Sequence, residues 1–161
     1  MQKIIYRPIG IIHTPFKSPS EAPIQPSAGK GIRARVEIFP QYREGLEDLD
    51  RFSHLILIYH FHLSKTYSLK VKPFLDEHLR GLFATRAPAR PNPIGHSVVR
   101  LIGIEGNMLL IENADMLDGT PLLDIKPYVP EFDREEAVKI GWLEDKVKNA
   151  PGKKGDERFR Q

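Results

Sequence analysis

Apolar and polar residues alternate with a period of two in the most regular stretch of the chain. In residues 32–38, four apolar side chains are separated by two arginines and a glutamate. Because successive strand residues point to opposite faces, this pattern predicts a half-buried strand with one charged face. Residues 54–62 read His-Leu-Ile-Leu-Ile-Tyr-His-Phe-His. That apolar run predicts a central strand covered on both faces.

Shorter patterns predict further strands. An opening strand is expected over Ile4–Ile12, with Pro8 confining it to an edge or a bulge. Gly106-Asn107 tolerates positive φ and marks a tight hairpin, and Asp118-Gly119 is a second turn signal. About seven short strands with few helices favour a mainly β fold, either a barrel or a sandwich. The remaining strands are expected over Leu79–Thr85, Val98–Glu105, Met108–Asn113 and Leu122–Val129.

Two stretches have helical character. Leu46, Leu49 and Phe52 recur at three-residue spacing after Pro40, which predicts a short amphipathic helix. Residues 134–148 have acids in the first turn and lysines in the last, the charge order that suits a helix dipole. The sequence therefore predicts a second helix there, with Gly141 as its weakest position.

Composition narrows the class of protein. Of 161 residues, 40% are hydrophobic and 28% are charged, and the formal net charge is +3. These values predict one soluble domain that is compatible with a nucleic-acid partner. The lack of cysteine excludes disulfides, zinc–thiolate sites and thiol nucleophiles. Because neither a membrane-length apolar window nor a signal-peptide core is visible, a cytoplasmic location without membrane attachment is expected.

A stiff basic loop is predicted over residues 83–97. Its three prolines fix φ and bias the preceding residues towards extended geometry, so the loop cannot be helical. No acidic residue lies between Glu77 and Glu105, whereas four arginines do. A preformed positive loop suits an anionic or polar ligand, since it loses little entropy on binding. The alternative is a surface connection whose arginines are merely solvated.

Three histidines raise the question of a metal. His54, His60 and His62 lie an even number of residues apart, which places them on one face of a strand. Strand histidines are commonly hydrogen-bonded residues, and no carboxylate follows at a short spacing to complete a coordination shell. No metal is predicted, and a metal-dependent enzyme that uses His60 and His62 is kept as an alternative. Dinucleotide, P-loop and nucleophile-elbow motifs are absent.

Two long motifs stand out, Phe83-Ala-Thr-Arg86 with Arg90-Pro-Asn-Pro-Ile-Gly95, and Leu117-Asp-Gly-Thr-Pro121 with Asp124-Ile-Lys-Pro-Tyr128. Together with Phe52-Ser-His-Leu55 and Phe61-His62, they resemble motifs of the TrmO family of tRNA methyltransferases, over Ile9–Pro130. The resemblance implies a small single-sheet β-barrel with short flanking helices that binds S-adenosylmethionine without a Rossmann fold. It also implies a homodimer that methylates the exocyclic amine of N6-threonylcarbamoyladenosine, next to the anticodon of tRNA.

The same resemblance implies a set of cofactor contacts. Phe61 would stack on the adenine, and Asp115 or backbone carbonyls would face the sulfonium charge. His96 stands where most family members have Met or Leu. The expected cofactor contacts are Gln25, Pro26, Ser27, Phe61, His62, Arg86, His96, Asn113, Ala114 and Asp115.

Methyl transfer to a carbamoylated amine calls for a base, because that nitrogen is a poor nucleophile while protonated. Asp118 is the candidate base, with Lys126 or Tyr128 stabilising the ureido oxygen. Capping of a turn is the alternative role for Asp118. An anticodon loop presents unstacked bases and phosphates to basic side chains. The expected tRNA contacts are Arg33, Arg35, Arg90, Asn92, Lys153 and Lys154.

The expected domain covers residues 1–148, followed by a basic C-terminal tail over residues 149–161. Many bacterial family members continue into a second domain that helps to hold tRNA, so the chain is similar to the short, archaeal-style form. A non-catalytic barrel that holds RNA or an adenosyl ligand is therefore the alternative function.

Overall fold

Six of eight strands close into a barrel in the computed structural model, which describes residues 3–23, 31–135, 138–144 and 146. The strands are β1 Gly10–His13, β2 Arg33–Ile38, β3 His54–His60, β4 Lys70–Val71, β5 Arg80–Gly81, β6 Ile94–Glu105, β7 Met108–Glu112 and β8 Thr120–Pro127. The barrel order is β1-β2-β7-β6-β3-β8, and β8 pairs back with β1. All neighbours in the barrel are antiparallel. The predicted mainly β, single-sheet barrel is confirmed.

The long strand β6 connects the two halves of the barrel. Its first part, Ile94–Arg100, pairs with β3, and its second part pairs with β7. The register with β7 shifts between Leu101 and Gly103, which marks a bulge. A bulge adds local twist and bends the strand, and a small barrel needs such bends to close.

Alternation along the strands fills the barrel with apolar side chains. In β2 the even-numbered residues are buried, and the arginines between them face outwards, as the sequence predicts. In β3, Leu55, Leu57 and Tyr59 are buried, whereas Ile56 and Ile58 are only half-buried on the outer face. The predicted strand is therefore confirmed, but within the described residues its outer face is incompletely covered. The fully buried core side chains include Ile12, Val36, Leu55, Leu57, Val99, Leu109 and Leu122.

Helices are short, and the longer helix predicted near the C-terminus is wrong in its described part. Residues 134–135 and 138–140 are irregular, and only a 3₁₀ turn, Gly141–Leu143, follows. Gly141 has φ +58, a left-handed value that an α-helix cannot include. The α-helix α1 is instead Pro130–Asp133. Of the helices in the described ranges, none has both the length and the apolar content that crossing a membrane requires.

Three other local predictions need correction. The opening strand starts at Gly10 and not at Ile4, consistent with the missing N–H of Pro8. The helix expected after Pro40 is two 3₁₀ segments, Pro40–Leu46 and Leu49–Arg51. The strand expected over Leu79–Thr85 is the two-residue β5 followed by a 3₁₀ turn, Leu82–Ala84. Both turns predicted at Gly106 and Gly119 are confirmed, with φ of +65 and +75.

The connection between β3 and β6 forms a small lobe beside the barrel. It holds the two-stranded sheet β4–β5 and a separate apolar cluster of Val71, Leu82 and Ala87. The Pro-rich loop leaves this lobe and enters β6. The lobe is therefore the base from which the basic loop runs to the barrel.

Gly10 lets the backbones of β1 and β2 come together. A Cβ built on Gly10 lies 2.2 Å from the Glu37 carbonyl oxygen, a backbone atom fixed by strand pairing. We therefore expect Gly10→Ala to lower the free energy of unfolding by about 1–3 kcal/mol, the usual range for overpacking. Chemical denaturation measures the change. Gly45→Ala, where a Cβ meets nothing within 4 Å, is the control and should leave stability almost unchanged.

Candidate functional site

A buried chain of hydroxyl groups leads to a carboxylate at one end of the barrel. Ser97 Oγ donates to Asp115 Oδ1 at 2.6 Å, and Tyr59 OH lies 3.0 Å from Ser97 Oγ. Since the single hydroxyl proton of Ser97 is given to Asp115, Tyr59 donates to Ser97. Tyr59 and Ser97 are 4% and 2% exposed. The chain of donors is thus aligned towards a half-buried carboxylate.

The electrostatics of this end depend on burial and on one arginine. Burial raises the pKa of Asp115 to about 6, although the Ser97 hydrogen bond and the Arg86 charge act in the opposite direction. Burial, followed by the charge of Asp115, also raises the pKa of Tyr59, which stays a hydroxyl donor. Arg86 itself is exposed, and its charge acts on Asp115, Tyr59 and His96. The basic loop therefore brings Arg86 to the same end of the barrel as Asp115.

Two aromatic rings pack beside this chain because Gly95 has no side chain. The Tyr59 and Phe61 rings meet edge to face, with centroids 5.4 Å apart. A Cβ on Gly95 would lie 2.4 Å from Tyr59 Cε2 and 2.7 Å from Phe61 Cζ. The Phe61 N–H donates to the Pro93 carbonyl at 2.7 Å, which ties the end of β3 to the Pro-rich loop. The close approach at Gly95 thus places Phe61 next to the hydrogen-bond chain of Tyr59, Ser97 and Asp115.

The segment Asn113–Asp115 is held by an unusual backbone turn. Asn113 has φ +68, a left-handed value that Asn tolerates better than most residues. Its N–H donates to the Ile32 carbonyl, and its side-chain Oδ1 accepts from the Gly31 N–H, both at 3.0 Å. Ala114 is fully buried. The turn therefore aims Asp115 at the barrel end.

The two predicted cofactor histidines lie at the same end. His62 follows β3, and its Nδ1 lies 3.4 Å from Thr120 Oγ1. Burial and the neighbouring His60 lower the pKa of His62, and burial and Arg86 lower the pKa of His96. Both rings are therefore neutral at pH 7. Across the described ranges, no three His, Cys, Asp or Glu side chains converge as a metal site would require.

Asp118 is engaged in holding a turn. Its Oδ1 accepts from the Thr14 N–H at 3.1 Å, and its Oδ2 pairs with Lys17 Nζ. The Lys17 hydrogen bond lowers the pKa of Asp118. These contacts favour the turn-capping alternative, and the catalytic role of Asp118 stays a prediction.

Within one chain, Lys126 lies on the opposite face of the sheet from the Ser97–Asp115 pair. Thr120 at the start of β8 pairs with Ile12, whereas Lys126 pairs with Ile56 and the Tyr128 N–H reaches the His54 carbonyl. Paired residues of neighbouring strands point to the same face, so Lys126 points outwards with Ile56, whereas the next pair, Leu57 and Ser97, points into the barrel. Within one chain, Lys126 therefore does not face Asp115, and the catalytic roles of Lys126 and Tyr128 stay predictions.

The predicted tRNA contacts divide into three groups. Arg33 and Arg35 are exposed on the outer face of β2, where Arg33 pairs with Glu112 at 3.4 Å. Arg90 donates to the carbonyls of its own loop, and Asn92 is exposed at the end of that loop. The remaining predicted site residues lie outside the described residues, as does the tail 149–161; they are Gln25, Pro26, Ser27, Lys153 and Lys154.

A group of side chains missed by sequence reasoning supports the basic loop. We call Asp76, Arg80, Trp142 and Lys146 the C-terminal clasp. The Asp76 carboxylate is buried and pairs with both Arg80 and Lys146, and the two cations lie 5.4 and 5.9 Å from the Trp142 ring centroid. Trp142 Nε1 donates to the Ala84 carbonyl at 2.8 Å, two residues before Arg86. The clasp thus anchors the loop from outside the barrel.

Asp76→Asn is expected to lower the melting temperature at pH 7, because Arg80 and Lys146 lose a shared counter-charge. The Lys146 and Arg80 contacts hold the pKa of Asp76 well below its usual range. Stability from this group is therefore present above pH 4 and is lost as the pH falls further. Thermal unfolding between pH 3 and 7 should show a smaller acid loss in the variant. An unchanged melting temperature, matching that of the control Glu105→Gln at the exposed end of β6, would show that the clasp does not stabilise the protein.

The fold and the site together define the class of protein. It is a closed antiparallel β-barrel with a small polar and aromatic site at one end, and it differs from the doubly wound folds that commonly bind nucleotides. Residues 11–134 match the family described as tRNA-methyltransferase O N-terminal domain. The chain therefore belongs to the tRNA-methyltransferase O family, and the resemblance of its motifs is confirmed.

Relatives and solved structures agree with this membership. A probable S-adenosyl-L-methionine-binding protein of Pyrococcus abyssi is 61% identical over 156 residues, 97% of this chain and 85% of the relative. The human tRNA (adenine(37)-N6)-methyltransferase is 35% identical over 142 residues, 84% of this chain and 32% of the relative. The crystal structure of TrmO from Pseudomonas aeruginosa gives a TM-score of 0.74 at 40% identity, covering 87% of this chain and 62% of that one. The chain thus spans less than two thirds of the latter two proteins.

Proposed function

We propose that this protein is an S-adenosylmethionine-dependent methyltransferase that modifies the N6 amine of adenosine 37 in tRNA, with N6-threonylcarbamoyladenosine as the substrate. The observation that carries this proposal is the meeting of Arg86 with the Tyr59–Ser97–Asp115 chain at one end of the barrel, in a chain of this family. The names of the human and Pyrococcus relatives support the same reaction and cofactor.

The residues at the barrel end fit the chemistry of the cofactor. S-adenosylmethionine has an adenine ring, a carboxylate, an ammonium group and a sulfonium centre. Phe61 offers an aromatic surface, Arg86 a guanidinium for the carboxylate, and Asp115 a negative charge for a cationic group. When bound, the cofactor supplies an electrophilic methyl group. The neutral rings of His62 and His96 add no repulsive positive charge at pH 7.

Asp115 is a better candidate base than Asp118. With a pKa of about 6, the Asp115 carboxylate is ionised at pH 7 and still accepts a proton readily. The Asp118 carboxylate has a lowered pKa and is committed to Thr14 and Lys17. The hydroxyl donors Ser97 and Tyr59 orient Asp115, so its remaining oxygen can take the proton that leaves N6. Asp118 keeps the turn in place.

The functional unit that we propose is a homodimer. The outer faces of β3 and β6 carry a stripe of apolar side chains, of which Ile94 and Ile102 are 41% and 42% exposed. Lys126 lies beside this stripe on the neighbouring strand β8, where it pairs with Ile56 of β3. A second copy that covers the stripe would exclude water from it and bring its own Lys126 and Tyr128 to the ureido oxygen of the substrate. Arg33 and Arg35 would meet tRNA phosphates.

A methyl-transfer assay tests the proposal. The protein is incubated with cofactor carrying a labelled methyl group and with tRNA transcripts that either bear or lack the threonylcarbamoyl group on adenosine 37. Label should enter only the modified tRNA. Label in both RNAs would contradict N6-threonylcarbamoyladenosine as the substrate. Binding of cofactor and RNA without methyl transfer would identify a non-catalytic barrel.

A further inference from the structure

One aromatic side chain on the lobe is exposed in a way that the cofactor site does not explain. Phe83 is 75% exposed, although it lies in the 3₁₀ turn Leu82–Ala84 between two anchored neighbours. Leu82 is buried and donates its N–H to the Leu69 carbonyl at 2.9 Å. The Ala84 carbonyl accepts the indole N–H of Trp142. The ring is therefore presented to solvent by a fixed backbone.

A guanidinium supports the Phe83 ring. The Arg90 guanidinium carbon lies 5.9 Å from the ring centroid. Its Nη1 also donates to the Thr85 and Ala87 carbonyls, at 2.9 and 3.2 Å. These bonds hold the guanidinium beside the ring. Arg90 therefore contacts both the ring and the backbone of its own loop, and these contacts keep its guanidinium from reaching a distant phosphate.

The segment that carries the ring is basic. No acidic residue occurs between Glu77 and Glu105, and Arg86 follows Phe83 by three residues. Arg86 in turn acts on Asp115 at the barrel end. An exposed ring with a fixed cation and no nearby acids along its segment suits an unstacked nucleobase and its phosphate better than a neutral protein surface.

We propose that Phe83, backed by Arg90, is a stacking platform for an unstacked base of the RNA substrate. This inference rests on the proposed function and adds the subsite that would hold a nucleotide beside the target. Single-stranded RNA is commonly held by aromatic side chains on which bases stack, together with arginines that meet the backbone. The platform would fix the anticodon loop while the barrel end holds the cofactor.

Binding of a fluorescent anticodon stem-loop RNA tests the platform. Phe83→Ala and Phe83→Leu should both weaken RNA binding by about 5- to 150-fold, the range expected for loss of one stacked base. Phe83→Trp should keep wild-type affinity because it restores a flat ring. The matched control is Tyr42→Ala, since Tyr42 is an exposed aromatic residue in the 3₁₀ segment Pro40–Leu46, which lies near Ile104 and Gly106 at the β6–β7 hairpin. Affinity for S-adenosylhomocysteine should be the same in all variants.

Three outcomes would overturn the platform. Equal RNA affinity of Phe83→Ala and the wild type would overturn the platform alone and leave the proposed function standing. A wild type that binds S-adenosylhomocysteine but not RNA would overturn both the platform and the proposed tRNA substrate. A change of oligomeric mass in Phe83→Ala, measured by light scattering and without loss of RNA affinity, would assign the ring to a protein contact.

Discussion

Asp115→Asn is expected to lower the rate of methyl transfer by about 10²- to 10⁴-fold, the contribution typical of a general base. Asn keeps the shape of the side chain and can still accept the Ser97 hydrogen bond, so the barrel end should remain intact. The wild-type rate should rise with pH through about 6, where Asp115 ionises. That rise should be absent in the variant.

The same substitution is expected to stabilise the free protein. Burial raises the pKa of Asp115 from 3.8 to about 6. A raised pKa means that the carboxyl group contributes stability below pH 4, which is lost as the pH rises through 6. The shift corresponds to about 3 kcal/mol, so Asp115→Asn should gain up to that amount at pH 8. The ionised Asp115 side chain therefore makes the folded protein less stable than an uncharged side chain of the same shape would.

Asp118→Asn is the matched control, three residues along the chain. Because the pKa of Asp118 is lowered, its ionised form stabilises the fold, and its loss should reduce stability at neutral pH. Thermal unfolding and single-turnover methyl transfer measure both effects. If Asp118→Asn abolishes transfer and Asp115→Asn retains it, the two roles are reversed.

Gly95→Ala should impair both folding and cofactor binding. The new Cβ would lie within 2.7 Å of both the Tyr59 and the Phe61 ring, and Tyr59 is buried with little room to move. Overpacking of this kind typically costs about 1–3 kcal/mol. A displaced Phe61 ring would no longer offer the same surface to the adenine of the ligand. We therefore expect a lower melting temperature and a weakened affinity for S-adenosylhomocysteine.

Gly103→Ala provides the control on the same strand. A Cβ on Gly103 meets nothing within 4 Å, so stability and affinity should both be near wild type. Calorimetric titration with S-adenosylhomocysteine compares the three proteins. Wild-type affinity in a folded Gly95→Ala variant would show that the two rings do not form the cofactor pocket.

Local pattern was sufficient for most of the barrel. The alternation in residues 32–38 and the turn signals at Gly106 and Gly119 correctly predicted β2 and both turns. The failures have local physical causes. Gly141 adopts a left-handed conformation that an α-helix excludes, and only two residues of Leu79–Thr85 find a strand partner.

The candidate site could be predicted only in part. The family motifs predicted Phe61, His62, Arg86 and Asp115 as cofactor contacts, and the structure brings these four residues to one end of the barrel. Ser97 and Tyr59 were missed because their roles depend on the pairing of β3 with β6, which local pattern does not specify. The one available signal was a serine at an inward position of an apolar strand.

Contacts between residues that are far apart in the chain could not be predicted from the sequence. Asp76 and Lys146 are 70 positions apart, and Trp142 meets Ala84 across 58 positions. Nothing in the spacing of these residues predicts that they form the C-terminal clasp. The same holds for Asp118, whose partner Lys17 lies 101 positions away.

A crystal structure with S-adenosylhomocysteine bound tests the location of the cofactor site most directly. The ligand should lie at the barrel end, with Asp115 and Arg86 in hydrogen-bond reach and Phe61 against the adenine. Lys126 and Tyr128 of a second copy should approach the same pocket. A ligand bound at the opposite end of the barrel, away from Asp115 and Arg86 of either copy, would contradict this account.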